Sequence, residues 1–141
     1  AGRRVTASGM KLSMMIILGL AGAEGSERHA LATAKAINII KPTHLSALCL
    51  MLYRGSELLD QYEAGKFNPL SPAGLMRELK LIIENIDLPA DRHCLFRSNH
   101  VSNYVQLAAT LPHDKQRLLR DIDYSIAQLS KLKSWDVYNY N

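Results

Sequence analysis

Cysteine is scarce in this chain, and long apolar runs are absent. The 141 residues include two cysteines, Cys49 and Cys94, which are too few for a disulfide scaffold and typical of a reducing setting. No signal peptide is evident. The longest uncharged apolar stretch, residues 12–23, is too short to cross a bilayer and is interrupted by glycine. We therefore expect a cytoplasmic protein without a membrane span.

Charge of one sign is not concentrated anywhere in the sequence. The formal net charge is +4, but the 17 lysines and arginines are spread along the chain and form no run. Nucleic-acid-binding proteins usually carry a basic patch, so a nucleic-acid partner is disfavoured. The content of 48% apolar and 21% charged residues is that of a globular protein, and the length fits a single domain covering residues 1–141.

Several common site motifs are missing. The glycines at positions 19, 22 and 25 do not form Gly-x-Gly-x-x-Gly, and no P-loop lysine follows them, so neither a dinucleotide nor ATP is implied. The Gly-x-Ser-x-Gly motif of serine hydrolases is also absent. Glu24 and Glu27 resemble ribose-binding carboxylates after a glycine loop, but stabilisation of a helix N-terminus explains them more simply.

The most informative feature is an apolar segment that ends in glycines. Residues 11–18 form the first strand candidate, and residues 14–18 are apolar at successive positions, the pattern of a parallel strand covered on both faces. A glycine loop follows over residues 19–25, and Ser26 is a suitable N-cap for a helix that ends before Pro42. Backbone amides in this loop are candidates to face a ligand at the carboxyl end of the strand, where α/β folds bind cofactors.

The same strand, loop and helix unit recurs along the chain. Residues 45–52 form a second apolar run, and a short helix is expected over residues 57–64. Ser71-Pro72 predicts the start of a third helix, and a third strand is expected over residues 93–97. The long amphipathic helix that follows position 114 is expected to face inward with Leu118, Leu119, Ile122, Ile126, Leu129 and Leu132.

This alternation predicts an α/β fold of three parallel strands with outer helices. Right-handed crossovers would bring the carboxyl ends of the strands to one edge. An eight-stranded barrel takes roughly 250 residues, so the chain has a little less than half of that content. The chain also starts without an initiating methionine, and we expect it to be an excised piece of a larger protein.

Four segments follow one another in an informative order. They are an Ile-Ile-Leu-Gly-Leu-x-Gly strand end, Ser-Glu-Arg-His-Ala at a helix start, Leu-Ser-Ala-Leu-Cys-Leu with a later Gly-Ser-Glu-Leu, and Phe-Arg-Ser-Asn-His-Val-Ser-Asn-Tyr. Over residues 1–128 the chain resembles the carboxyl-terminal part of radical S-adenosylmethionine (SAM) proteins, and within them the Fe-S oxidoreductases similar to oxygen-independent coproporphyrinogen III oxidase. The most specific piece is residues 96–104, with Leu111-Pro112 and Asp114-Lys115 after it.

The resemblance implies one part of a partial (β/α) TIM-like barrel. In that family a [4Fe-4S] cluster, held by a Cys-x-x-x-Cys-x-x-Cys loop, reductively cleaves SAM to a 5′-deoxyadenosyl radical. The strand that resembles residues 14–22 passes beside the adenine of SAM. The cofactor contacts implied for this chain are Ile17, Leu18, Gly19, Leu20 and Gly22. Glycine suits this role because a missing Cβ lets a planar ring approach the backbone.

The chain departs from the family in its cysteines. Three cysteines at the required spacing are absent, and cluster binding requires thiolates. We therefore expect the chain to be inactive alone and to depend on a missing amino-terminal half of the same protein for the earlier strands and the cysteines. The resemblance implies no particular substrate, because a shared fold does not fix the molecule that is attacked.

A dense group of hydrogen-bonding side chains follows the third strand. The candidates to line the barrel mouth or contact a substrate are Arg97, Ser98, Asn99, His100, Ser102, Asn103 and Tyr104. The competing interpretation is structural, because serine and asparagine often satisfy the backbone of turns and Arg97 would pair with a carboxylate. No second catalytic group is fixed beside His100, so we assign it no acid or base role.

Histidine and cysteine also occur near each other, as His93-Cys94 and as His44 with Cys49, and both residue types bind zinc. We expect no metal site, because both cysteines lie in apolar strands and free cysteines behave as small buried hydrophobes. A non-enzymatic α/β interaction domain is the alternative function. The unpaired strand edges and apolar face of a partial barrel favour self-association.

Overall fold

The structure is a computed structural model that describes residues 1–131. Its elements are α1 (Gly2–Ala7), β1 (Ser13–Leu18), α2 (Gly22–Ile40), β2 (His44–Cys49), α3 (Glu57–Glu63), α4 (Pro72–Asn85), β3 (Cys94–Ser98), β4 (Leu107–Leu111) and α5 (Lys115–Leu129). Leu132, expected in the last helix, lies outside the described residues. Among residues 1–131, no helix combines the length and the apolar character needed to span a membrane.

The strands form one sheet in the order β1-β2-β3-β4. β1 and β2 pair in parallel, as do β2 and β3, whereas β4 runs antiparallel to β3. The three expected parallel strands are therefore confirmed within a mixed α/β fold. The sequence did not indicate β4, because alanine has a low strand propensity and two alanines, Ala108 and Ala109, occupy its middle.

Helices α2, α4 and α5 pack against one face of the sheet. The strand residues in this core are Ile16, Leu18, Leu45, Ala47, Cys49, Cys94, Phe96, Ala109 and Leu111. Ile37 of α2, Leu79 of α4 and Ile122 of α5 belong to the same buried cluster. Removal of this apolar surface from water is the main stabilising contribution to the fold.

Two helix predictions are confirmed in detail. In α4 the Ser71 hydroxyl accepts a hydrogen bond from the amide of Gly74 at 3.1 Å, and Pro72 occupies the first helical position. In α5 Leu118 and Ile122 are fully buried, as the helical period of its apolar residues requires.

The predicted start of α2 is wrong. The helix begins at Gly22 rather than after Ser26. The amide of Gly22 donates to the carbonyl of Gly19 at 3.0 Å, and the amide of Ala23 donates to the carbonyl of Asn68 at 2.7 Å. These two loop carbonyls accept hydrogen bonds from amides at the start of the helix, a task that a serine N-cap often performs. Ser26 itself lies inside the helix.

The opposite side of the sheet, which we call the open face, carries no helix in the described part of the chain. Its side chains form rows across the strands, namely Ser13, His44, Leu95 and Thr110, then Met15, Ser46, Arg97 and Ala108, then Ile17 and Leu48. Met15 is 72% exposed and Ile17 is 41% exposed. The expectation of strands covered on both faces is therefore wrong for residues 1–131, because all three packing helices lie on the same side.

Candidate functional site

The turn after β1 is held from the core side by one buried carboxylate. Glu78 of α4 is only 2% exposed. Its Oε1 accepts a hydrogen bond from the amide of Gly19 at 2.9 Å and lies 3.0 Å from Nδ1 of His29. Its Oε2 accepts a hydrogen bond from the hydroxyl of Ser26. The carboxylate therefore ties the end of β1 to α2.

The position of Glu78 in the sequence is itself a signal for this network. Glu78 lies three residues after Leu75 and four before Ile82, on the apolar face of α4. Carboxylates are rarely buried unless donors surround them. A carboxylate in the apolar stripe of a helix therefore predicts a cluster of polar partners nearby, although the sequence does not say which residues supply them.

Gly19 and Gly22 occupy backbone conformations that favour glycine. Their φ angles are +82° and +66°, a region that residues with a Cβ rarely adopt. A Cβ on Gly19 would lie 2.7 Å from Cδ2 of Leu75, and one on Gly22 would lie 3.0 Å from Cε2 of Phe67. The amides of both glycines are used within the protein, by Glu78 and by the carbonyl of Gly19. This differs from the expectation that they face a ligand.

The five residues predicted to contact SAM fall into two groups. The side chains of Ile17 and Leu20 are exposed and flank the turn. Leu18, Gly19 and Gly22 are buried. Ile17 and Leu20 both line a groove of about 420 Å³ between β1 and α2, so a ligand there would contact these two apolar side chains.

A small cleft lies on the open face at the carboxyl ends of β1 and β2. This carboxyl-end cleft has a volume of about 170 Å³ and is lined by Ile17, Leu48, Cys49, Leu50, Met51, Tyr53, His100 and Ser102. It brings Ile17, a predicted cofactor contact, together with His100 and Ser102 from the predicted barrel mouth. Sites for drug-sized ligands usually measure about 300–1,000 Å³, so the cleft by itself is too small for such a ligand.

Asn103 continues the hydrogen bonding of β2 beyond the end of β3. The register of β2 with β3 ends at Ser46 opposite Arg97. Past that point the Asn103 side chain donates to the carbonyl of Ala47 at 2.8 Å and accepts from the amide of Cys49 at 2.9 Å. A side-chain amide thus takes the place of a neighbouring strand, which gives Asn103 a structural role.

The other polar residues at the end of β3 and in the loop after it lie in different surroundings. Ser98 is buried, and its hydroxyl accepts from Nδ2 of Asn103 at 2.9 Å. Tyr104 packs against the core, whereas Asn99 is exposed. The amide of Ser102 donates to Nδ1 of His100 at 3.1 Å, so a neutral His100 ring carries its proton on Nε2.

Arg97 forms no ion pair with a carboxylate of residues 1–131. Its Nη1 donates to the carbonyl of Phe96 at 2.7 Å and to that of Ala109 at 3.5 Å. The carboxylate partner expected from the structural interpretation is therefore replaced by main-chain oxygens.

The two cysteines do not have the properties of cluster ligands. Cys49 and Cys94 are buried free thiols, and burial raises the pKa of each to about 11. Both are therefore protonated at neutral pH, whereas an iron-sulfur cluster binds thiolates. In the described range, no group of three or more His, Cys, Asp or Glu residues could hold a metal ion. The [4Fe-4S] cluster implied by the resemblance does not fit this part of the chain.

Glu24 lies in the first turn of α2, where a carboxylate interacts favourably with the helix dipole. The side chain of Asn68 donates a hydrogen bond to it. This bond lowers the pKa of Glu24 below its usual value. The contacts of Glu24 are thus those of a residue that stabilises the start of a helix.

Residues 1–131 form a mixed α/β unit with one open sheet face and a small cleft at the carboxyl ends of two parallel strands. In comparisons with known proteins, no protein-family model, no curated protein and no solved structure matches the chain.

Proposed function

We propose that this chain is the carboxyl-terminal, SAM-contacting part of a radical SAM Fe-S oxidoreductase and that its strands belong to a partial (β/α) TIM-like barrel. The strand order supports this proposal, because β1, β2 and β3 are neighbours in chain order and the packing helices share one side. Doubly wound sheets reverse their strand order and carry helices on both faces, whereas barrels do neither. The open face would line the barrel interior.

The position of Ile17 and Leu20 carries the proposal. These exposed apolar side chains flank a turn at the carboxyl end of a parallel strand, which is where barrel enzymes bind their ligands. Two exposed apolar side chains that line one groove between β1 and α2 suit the face of an adenine ring. SAM would supply the radical precursor when bound, and the role of these residues would be to bind and orient its adenine.

The same observations support an active unit larger than this chain. The two thiols of this chain are buried and protonated, so an iron-sulfur cluster would need thiolate ligands from another part of the parent protein. In our proposal the amino-terminal half of the parent protein supplies the cluster cysteines and the remaining walls of the site. This chain alone would then be inactive but would retain a weak contact with SAM.

Calorimetric titration of the chain with SAM tests the proposed contact. We expect weak, saturable binding that Ile17→Asp lowers by about tenfold or more, because a carboxylate replaces an apolar contact surface. Leu95→Asp is the matched control, since Leu95 lies on the same open face with similar exposure but in a row remote from the turn. Absence of binding by the unmodified chain, or equal losses in the two variants, would contradict the proposal.

The edge position of β1 in the sheet formed by residues 1–131 favours a second candidate function, that of a non-enzymatic interaction domain. β1 is the first strand in the sheet order, its sequence Ser-Met-Met-Ile-Ile-Leu contains no charge and no proline, and Met15 is largely exposed. Natural edge strands are usually protected by charges, prolines or bulges. An unprotected edge of this kind pairs readily with another strand, and we propose that the isolated chain self-associates through it.

Sedimentation velocity over a range of concentrations measures this self-association. We expect the unmodified chain to associate and Met15→Lys to shift it to monomer, because a lysine on the edge strand opposes strand pairing. Val101→Lys is the control, because Val101 is equally exposed but lies in the loop between β3 and β4. An unmodified chain that stays monomeric, or undiminished association of Met15→Lys, would exclude pairing through β1.

A further inference from the structure

A single cation lies within the open face. Among the residues that form its three rows, only Arg97 carries a formal charge. The described arginine and lysine ion pairs lie elsewhere, on the helices, where Lys80 bonds Asp123 and Arg117 bonds Asp121. The charge of Arg97 therefore has no balancing carboxylate in the rows around it.

The surroundings of Arg97 keep its guanidinium accessible. Its cross-strand neighbours in the same row, Ser46 and Ala108, are small, and Arg97 itself is exposed. The contacts with the carbonyls of Phe96 and Ala109 use Nη1. A guanidinium has five N–H donors in a planar fork, so Nη2 and Nε can serve an anion while Nη1 holds the group on the sheet.

An apolar surface begins beside this cation. Met15 stands in the same row as Arg97, two strands away, which is roughly 10 Å at the usual strand spacing. Ile17 and Leu48 form the next row toward the carboxyl-end cleft. The open face thus offers one fixed positive group at the edge of an uncharged, largely apolar area.

We propose that the open face binds a ligand that joins an oxyanion, either carboxylate or phosphate, to an apolar body. The oxyanion would accept hydrogen bonds from the guanidinium of Arg97 and the hydroxyl of Ser46, and the apolar body would cover Met15, Ile17 and Leu48. Arginine binds both oxyanions through paired, charge-assisted hydrogen bonds. This inference rests on the proposed function, because the open face would be the interior of the proposed barrel, and it adds the chemistry of the ligand bound there.

NMR titration of the isotope-labelled chain with four small probes tests this inference. The probes are hexanoate, hexyl phosphate, inorganic phosphate and 1-hexanol, and the signals to follow are those of Arg97 Nε–H and the amides of Ser46 and Leu48. We expect saturable shifts with at least one of the two hexyl anions, at affinities about tenfold or more above those of inorganic phosphate and 1-hexanol, because only the hexyl anions combine both contacts.

Arg97→Gln should lower the affinity for the hexyl anions by about tenfold or more, because loss of a charge-assisted pair of hydrogen bonds has an effect of that size. Arg92→Gln, at an exposed position before β3, is the matched control and should bind as the unmodified chain does. Stronger binding of hexanoate would assign a carboxylate ligand, and stronger binding of hexyl phosphate a phosphate ligand.

Three results would overturn the inference: 1-hexanol binding as tightly as the hexyl anions, inorganic phosphate doing so, or Arg97→Gln binding like the unmodified chain. These outcomes are separable from those of the SAM titration. Ile17→Asp should weaken SAM binding but leave the response of Arg97 Nε–H to inorganic phosphate unchanged, because the two side chains lie in different rows and on different strands.

Discussion

Replacement of Glu78 by alanine should lower the free energy of unfolding by about 3–5 kcal/mol, because three donors of a largely buried network lose their acceptor. The substitution deletes the common acceptor of the Gly19 amide, the Ser26 hydroxyl and the His29 ring. These donors remain fully or partly buried and lose their partner, and the truncated side chain leaves a cavity under the turn. Urea denaturation followed by circular dichroism measures the change.

Glu84→Ala is the matched control for this prediction. Glu84 lies on the same helix, its side chain is 43% exposed, and its ion pair with Lys80 is long, at 3.8 Å. Exposed pairs of this kind contribute about 0–1 kcal/mol, so both variants lose a glutamate from α4 but only Glu78→Ala breaks a buried network. If the two variants unfold at the same urea concentration, the Glu78 contacts do not stabilise the fold.

Gly19→Ala should lower the free energy of unfolding by about 2–5 kcal/mol, through two separate effects. A left-handed conformation costs a residue with a Cβ about 1–2 kcal/mol, and the φ of Gly19 is +82°. The new Cβ would also lie 2.7 Å from Cδ2 of Leu75, a side chain only 2% exposed. Overpacking of such a core position costs about 1–3 kcal/mol. Chemical denaturation again gives the value.

Gly55→Ala separates the two effects. Gly55 has a φ of +79°, but no atom lies within 4 Å of the position its Cβ would occupy. It should therefore show only the conformational cost of about 1–2 kcal/mol. The difference between the two variants measures the contact with Leu75. Equal destabilisation would mean that Leu75 moves aside freely and that the turn is not tightly packed.

Both predictions concern the segment on which the proposed SAM contact depends. Ile17 precedes and Leu20 lies in a turn whose conformation is held by Glu78 and packed against Leu75, both residues of α4. A rigid turn of this kind presents its apolar side chains in one arrangement, so little conformational entropy is lost when a ligand binds. Variants that loosen the turn should therefore weaken any ligand contact in addition to lowering stability.

Much of the secondary structure could be predicted because its causes are local. Ser71-Pro72 starts α4 through a cap that involves residues three positions apart, and the apolar period of α5 identifies Leu118 and Ile122 as core residues. The strand β4 and the true start of α2 escaped prediction. The first has weak local signals in its alanines, and the second depends on a carbonyl of Asn68, which is distant in sequence from Ala23.

The candidate site was less predictable from the sequence, because it too depends on contacts between residues that are distant in the chain. The sequence indicated a cluster of polar residues near the end of β3. It did not indicate that Asn103 hydrogen-bonds the backbone of β2, or that Arg97 is the one residue with a formal charge in the rows of the open face. Which loop residue is structural and which is available to a ligand depends on the strand that each side chain meets. Those partners are more than 50 positions apart for Asn103.

The sequence alone predicted three parallel strands joined by helices, and it predicted a glycine turn at the end of the first strand. These features follow from hydrophobic periodicity, caps and turn residues, which act between near neighbours in the chain. Only the tertiary structure shows that one sheet face is open among the described residues and that β4 runs antiparallel. It also shows that Glu78 accepts a hydrogen bond from an amide 59 positions away. Such contacts form only when distant segments share one core, so their identity depends on the three-dimensional arrangement and not on the order of residues within any one segment.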